Sequence, residues 1–154
     1  YKITTIFLKS HLSIEFEEDA VLIASSNPQE RPIMEGMIES YDEKREYNLG
    51  TWEGNPLSMY AGVIMGIHVE DVKLYGKGII DGGATFDNWW KDPKKSTRVF
   101  RPRLIFLNHC KQIQMEGLTL QNSPSWTLHP YFSEELLFTN LLTRWILQME
   151  LMFR

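Results

Sequence analysis

Apolar and polar residues alternate with a period of two along much of this chain. ITTIFLKSHLSIEFEE (3–18) shows the pattern first. VKLYGKGIID (72–81), LIFLNHCKQIQMEGLTLQN (104–122) and ELLFTNLL (135–142) share it. Such alternation turns one face of a strand to a core and the other to water, so these segments are predicted strands. A helical period of 3.6 residues is scarce. The terminal LLTRWILQMELMFR comes closest, and its Leu, Gln, Met and Glu are good helix formers.

Three of the segments also copy one another. DVKLYGKGIID (71–81), QIQMEGLTLQN (112–122) and ELLFTNLLTRW (135–145) carry apolar residues at their second and fourth positions and Gly or Asn at the sixth. That sixth position holds Gly76, Gly117 and Asn140, residue types that tolerate the left-handed backbone of a sharp corner. The last two copies lie 23 residues apart, a period typical of solenoids. The first two are further apart, and removing a charged, Trp-rich stretch of about 18 residues at 85–102 restores the same spacing, as an insertion at one corner would require. An earlier, weaker copy, HLSIEFEED (11–19), lacks the Gly. A parallel β-helix fits this short repeat, because each coil closes its backbone ladder and core only against its neighbours. On periodicity alone, an antiparallel β-sandwich with similar strands fits about as well. Two segments fall outside the ladder, 26–58 and 85–102. Both mix Pro, Trp and charge as functional loops do, and 26–58 adds Gly.

The totals narrow the class. At 154 residues the chain is one domain or part of a larger one. A net charge of −4 argues against non-specific nucleic-acid binding, which needs a basic face. The longest mainly apolar run, MYAGVIMGIHV (59–69), falls well short of the roughly 20 residues of a membrane helix. Neither nucleic acid nor membrane is therefore an expected partner. No signal or targeting pattern is visible, and Tyr1 leads at once into strand-like sequence, as expected of a cut inside a longer chain. A single cysteine, Cys110, excludes an intramolecular disulfide and a cysteine-based zinc site, and it leaves the compartment open.

Candidate chemistry gathers late in the chain. Trp89 and Trp90, with Phe86 nearby, offer aromatic faces on which the C–H face of a sugar packs. The bland reading has one tryptophan capping the coils and the other covering the loop. KDPKKSTRVFRPR follows, with Lys91, Lys94, Lys95, Arg98, Arg101 and Arg103 against Asp92. Such a patch suits a carboxylate or phosphate ligand, which arginine grips with a two-pronged fork, although charge runs are more often solvated surface. In QNSPSWTLHP (121–130), Asn122 and Ser123 are set to start a turn before Pro124. Trp126 and His129 add a stacking face and a proton carrier or hydrogen-bond donor, against the usual structural role of a lone histidine. Glycoside hydrolysis needs two carboxyl groups at a defined separation. Asp81 and Asp87 flank a Gly-Gly turn, and Asp-Gly is first of all turn chemistry. Asp42, Glu43 and Glu46 show no pattern. Zinc-protease, phosphate-loop and nucleophile-elbow motifs are absent.

GKGIIDGGATFDNWW followed by RPRLIFLNHCKQIQMEGLTLQNSPSWTLHPYFSEELLF resembles the amino-terminal half of polygalacturonase-like enzymes of glycoside hydrolase family 28. The likeness is densest over about 68–138 and extends back to 8–26. Its Gly-x-Gly-x-Ile-Asp-Gly turn, double Trp, Arg-Pro-Arg and Asn-Ser-Pro-x-Trp-x-x-His-Pro box occur in order. The resemblance implies an all-β, right-handed parallel β-helix, here a truncated fragment with loop insertions, spanning 1–143 before an atypical tail at 144–154. It also implies inverting hydrolysis of α-1,4-galacturonosyl bonds in pectin without a cofactor, by a protein monomeric in its full-length form. The compartment would be secreted or periplasmic on the commoner family pattern. Expected sugar contacts are Trp126 and His129 beside the cleft, Arg101 on a carboxylate, and Trp89 or Trp90 as a platform. The departure is equally specific. The family places an Asn-Thr-Asp stretch within about 15 residues of the ELLFTNL strand and an Asp-Asp pair later. This sequence has no aspartate after Asp92, so no catalytic residue and no metal ligand is assigned. Its last dozen residues read as a shifted frame or truncated product would, and the amphipathic tail is expected to fold over the open end of the coils. The competing classes are a non-catalytic carbohydrate-binding or structural β-helix module, and a calcium-dependent lyase releasing unsaturated products.

Overall fold

The computed structural model describes residues 1–36, 57–92 and 99–145. After an opening strand β1 (Lys2–Ile3), the chain winds through β2 (Ile6–Phe7), β3 (Leu12–Phe16) and β4 (Val21–Ala24) as a first coil. An excursion carrying β5 (Ile33–Met34) and β6 (Met59–Tyr60), paired antiparallel, separates it from the second coil. That coil is β7 (Ile64–Ile67), β8 (Glu70–Gly76) and β9 (Ile79–Asp81). The third is β10 (Ile105–Asn108), β11 (Lys111–Glu116) and β12 (Thr119–Gln121), and the fourth is β13 (Leu128–Tyr131), β14 (Glu134–Thr139) and β15 (Leu142–Arg144). Corresponding strands stack in parallel into three sheets: A (β1-β4-β9-β12-β15), B (β2-β7-β10-β13) and C (β3-β8-β11-β14). This is a parallel β-helix, and the sandwich alternative is excluded by the parallel pairing.

The core follows from register. On sheet C, Val72, Ile113 and Leu136 lie in line, as do Leu74, Met115 and Phe138. These residues point inward and stack coil upon coil, while the intervening Lys73 and Gln114 point out. Sheet B is different, because Met65 and Phe106 on its outer face are covered by Met59 and Ala61 of the first excursion. A strand buried on both faces needs apolar residues at consecutive positions. The run at 59–69 and Leu104–Leu107 are thus explained as strand sequence.

Several segments that read as single strands are in fact bent round corners. Residues 3–18 divide among sheets A, B and C, and 104–122 supply an entire coil. The C-to-A corner is where the repeated Gly or Asn falls. Gly76, Gly117 and Asn140 have φ of 121°, 77° and 52°. A Cβ on Gly76 would lie 2.1 Å from the Phe16 carbonyl oxygen, and one on Gly117 would lie 2.4 Å from that of Gly76. The glycines therefore also allow adjacent coils to close up at that corner. The second coil holds one residue more here, so Ile80 rather than Ile79 stacks on Leu120.

The B-to-C corner carries a signal that the sequence pattern did not display. His68 and Asp71, His109 and Gln112, and Phe132 and Glu135 all have positive φ, at 45–54°. Their rings form a ladder, with His68 and His109 stacked at 5.0 Å and His109 and Phe132 at 5.4 Å. Long connections among the described residues use the remaining corner, from sheet A to sheet B. There lie the excursion between β4 and β7, that between β9 and β10, and the turn between β12 and β13. The predicted loops at 26–58 and 85–102 fall within the first two of these. The end of the tail, from residue 146, lies outside the described residues.

Candidate functional site

At the A-to-B corner of the third coil, Asn122 takes a left-handed φ of 49° and starts a turn. The Ser123 hydroxyl closes it by donating to the Trp126 carbonyl oxygen at 3.0 Å. Three consecutive turn residues then accept hydrogen bonds from three residues of the 82–104 excursion. Trp90 Nε1 donates to the Ser123 carbonyl at 3.0 Å, Arg101 Nη1 to the Pro124 carbonyl at 2.9 Å and Arg103 Nη1 to Ser125 Oγ at 2.8 Å. Ser125 Oγ in turn donates to the Pro102 carbonyl at 2.6 Å. Loop residues distant in sequence are thereby fixed against one turn.

Four of the five residues expected to touch sugar meet here. Trp126 leaves 48% of its surface exposed and lies 5.0 Å from the Arg103 guanidinium and 4.7 Å from the His129 ring. Arg101 is half-buried and stacks on Trp90 at 4.2 Å. Burial lowers its pKa, but a guanidinium starts so high that the charge persists at neutral pH. Trp90 is itself half-buried, with Trp145 meeting it edge-on at 5.5 Å. Trp89 goes the other way. Only 9% exposed, it packs on Tyr60 at 5.7 Å, beneath the loop rather than on its surface.

His129 is buried, and its Nδ1 accepts from Arg103 Nε at 3.2 Å. Burial, and then the charge of Arg103, push its pKa down to about 4. The ring is therefore neutral at pH 7. Because Nδ1 is the acceptor, the tautomer consistent with this bond carries its proton on Nε2. Arg103 read as part of a surface cationic patch, yet it is 0% exposed. It supports the site from behind, tying Ser125 to His129 under the Trp126 ring, where a cation over an aromatic face contributes about 0.5–2 kcal/mol. Lys94, Lys95, Arg98, Asp42, Glu43 and Glu46 lie outside the described residues.

Asp81 does what its Asp-Gly context predicts, accepting from the Gly83 N–H at 2.8 Å. It also reaches the next coil, accepting from Gln121 and Asn122 side chains. Asp87 stays on the loop, where Thr85 Oγ1 accepts from its N–H at 3.3 Å. The burial of Arg103 and the reach of Asp81 are the features that sequence reasoning missed. A buried arginine looks like any other in a basic run, and its partners lie more than 20 residues away.

Stacked parallel sheets with long connections gathered on one corner define a parallel β-helix protein. Within that class the chain belongs to glycosyl hydrolases family 28, whose profile matches residues 38–144. It is 33% identical over 136 residues to a Vitis vinifera protein named "Probable polygalacturonase", covering 87% of this chain and 26% of the relative. It is also 33% identical over 73 residues to exopolygalacturonase A of Aspergillus niger, covering 46% of this chain and 16% of the relative. Among solved structures, a family 28 exopolygalacturonase of Yersinia enterocolitica superposes with a TM-score of 0.72 at 15% identity. It is covered over 94% of this chain and 32% of its own. A hyperthermoactive exopolygalacturonase of Thermotoga maritima gives 0.68 at 21% identity, over 94% of this chain and 37% of its own. At those identities the structures establish the fold. The chain spans about a quarter of the length of the first curated relative.

Proposed function

We propose that the protein is a pectin-hydrolysing glycoside hydrolase of the polygalacturonase type, and that the described residues form outer subsites of its galacturonate cleft. The observation that carries this reading is the convergence on one turn of Trp126, Trp90 and Arg101 in a family 28 chain. Exposed indole gives the C–H face of a pyranose a stacking surface, and the guanidinium of Arg101 provides for its carboxylate. His129 Nε2–H adds a neutral donor beside them. Trp89, packed on Tyr60, supports the loop from below, and Trp90 is the platform of the pair.

The chain by itself is proposed to bind without cleaving, since no aspartate follows Asp92 to act as acid or to activate water. Incubation with polygalacturonate should release no new reducing ends, while titration with trigalacturonate should show binding. Trp126→Ala should weaken that binding about tenfold, or about 1.4 kcal/mol, in a chain that still folds. Hydrolysis by the chain would refute the assignment of the acids elsewhere. Equal affinity of wild type and Trp126→Ala would refute the subsite.

A further inference from the structure

We propose that Asp81 is a positioning residue for this corner: its carboxylate sets the direction in which the turn leaves Asn122 and thereby places the Trp126 ring against Arg103. The proposal rests on reading the corner as a galacturonate subsite.

The Asp81 side chain is buried and accepts at both oxygens. Oδ1 receives the Gly83 N–H at 2.8 Å and Asn122 Nδ2 at 3.0 Å. Oδ2 receives Gln121 Nε2 at 2.7 Å and Asn122 Nδ2 at 3.0 Å. All three partners are neutral, and among the described residues no ion pair reaches it. A buried carboxylate satisfied in this way depends on each donor, because removing one leaves charge poorly solvated. A turn alone would need much less. The bond to Gly83 could be made equally by asparagine, whose single oxygen suffices for an Asp-Gly or Asn-Gly turn. The second oxygen, facing two amide NH₂ groups on the neighbouring coil, is what requires an acid.

Main-chain bonds grip the same two residues. The Gly82 N–H donates to the Gln121 carbonyl at 2.9 Å and the Ala84 N–H to that of Asn122 at 3.1 Å. Asn122 thus has its backbone and its side chain both anchored to 81–84, in a left-handed conformation that a non-glycine residue keeps only when its surroundings fix it. Ser123, Pro124 and Ser125 follow directly, accepting from Trp90, Arg101 and Arg103, and Trp126 ends the turn. A change of direction at Asn122 is therefore carried to the indole.

Three variants of this chain test the proposal by trigalacturonate titration and by the 5-fluorotryptophan resonance of Trp126, assigned through its loss in Trp126→Phe. Asp81→Asn sets an NH₂ group against two donors and should lower affinity at least tenfold while shifting the resonance. Asn122→Gly keeps the positive φ without strain and removes the donor, so it should do the same. It also serves if Asp81→Asn fails to fold. Combining Asp81→Asn with Asn122→Asp reverses donor and acceptor between these two residues but leaves Gln121 Nε2 without its acceptor, so it should recover part of both readouts. The proposal is overturned if single variants lower only the melting temperature and leave the resonance in place, or if the reversed pair recovers nothing. Should wild type bind no trigalacturonate, the galacturonate reading fails, while the resonance still decides the role of Asp81.

Discussion

Lowering the pH from 7 to 5 should cost the fold about 2 kcal/mol through His129 alone. In the folded chain its pKa is held at about 4, by burial first and by the charge of Arg103 second. An unfolded chain releases the ring to an ordinary value near 6.5. Between these limits the unfolded state binds a proton that the folded state refuses, so stability rises with pH across the window and falls as pH is lowered through it. The loss grows from near zero at pH 7 to a ceiling of about 3 kcal/mol below pH 4, where both states are protonated. Other groups titrate nearby. The Ser25 hydroxyl holds Glu30 below its usual range, which adds a loss at still lower pH, whereas the bond His11 makes to the Asp71 carboxylate raises its own pKa and acts in the opposite sense. A paired measurement separates them. Urea midpoints of wild type and His129→Gln, taken every half unit from pH 4 to 7.5, should diverge through the window. Glutamine retains an acceptor for Arg103 and does not titrate. Parallel curves would show that Arg103 and burial do not depress His129, and the tautomer argument for its Nε2–H would fall with them.

Gly117→Ala should destabilise by at least about 2 kcal/mol, since the site combines positive φ with a carbonyl oxygen 2.4 Å from the new Cβ, and a thermal melt should register it as a clear drop in Tm. Ile113→Ala, in a fully buried position, should cost about 2–5 kcal/mol by urea denaturation. Leu137→Ala, 53% exposed on the outer face of the same sheet, should stay within about 0.5 kcal/mol. Cys110 is buried, and burial pushes its thiol pKa up, so an aromatic disulfide reagent should label it only in denaturant.

What the sequence revealed and what it hid have a common cause. Val72, Ile113 and Leu136 announce the coils because an inward ladder repeats one side-chain type at one register. Gly76, Gly117 and Asn140 announce a corner because few residues accept that backbone. The opposite corner used His68, His109 and Phe132, which are unusual there and follow no turn code; stacking between coils holds them. The one-residue excess before Ile80 escaped notice because Gly76 and Gly78 both suit a turn. At the site, the clustering of Trp126, His129 and Arg101 could be suspected from their order. The burial of Arg103 and of Trp89 depends on contacts with Ser125 and Tyr60 made across coils, and no local pattern records them.

Confining long detours to one edge of the coil frees their length from the scaffold. Ile105 lies beside Ile64 and Leu128 in uninterrupted register, although the first pair is 41 positions apart in sequence and the second 23. Chain can therefore be added between β9 and β10 without moving the layers that hold Trp126 and His129, provided that Gly82–Ala84, Trp90, Arg101 and Arg103 keep their bonds to the turn and to His129. Diversity in such a lineage would accumulate as rewritten loops on an unaltered winding.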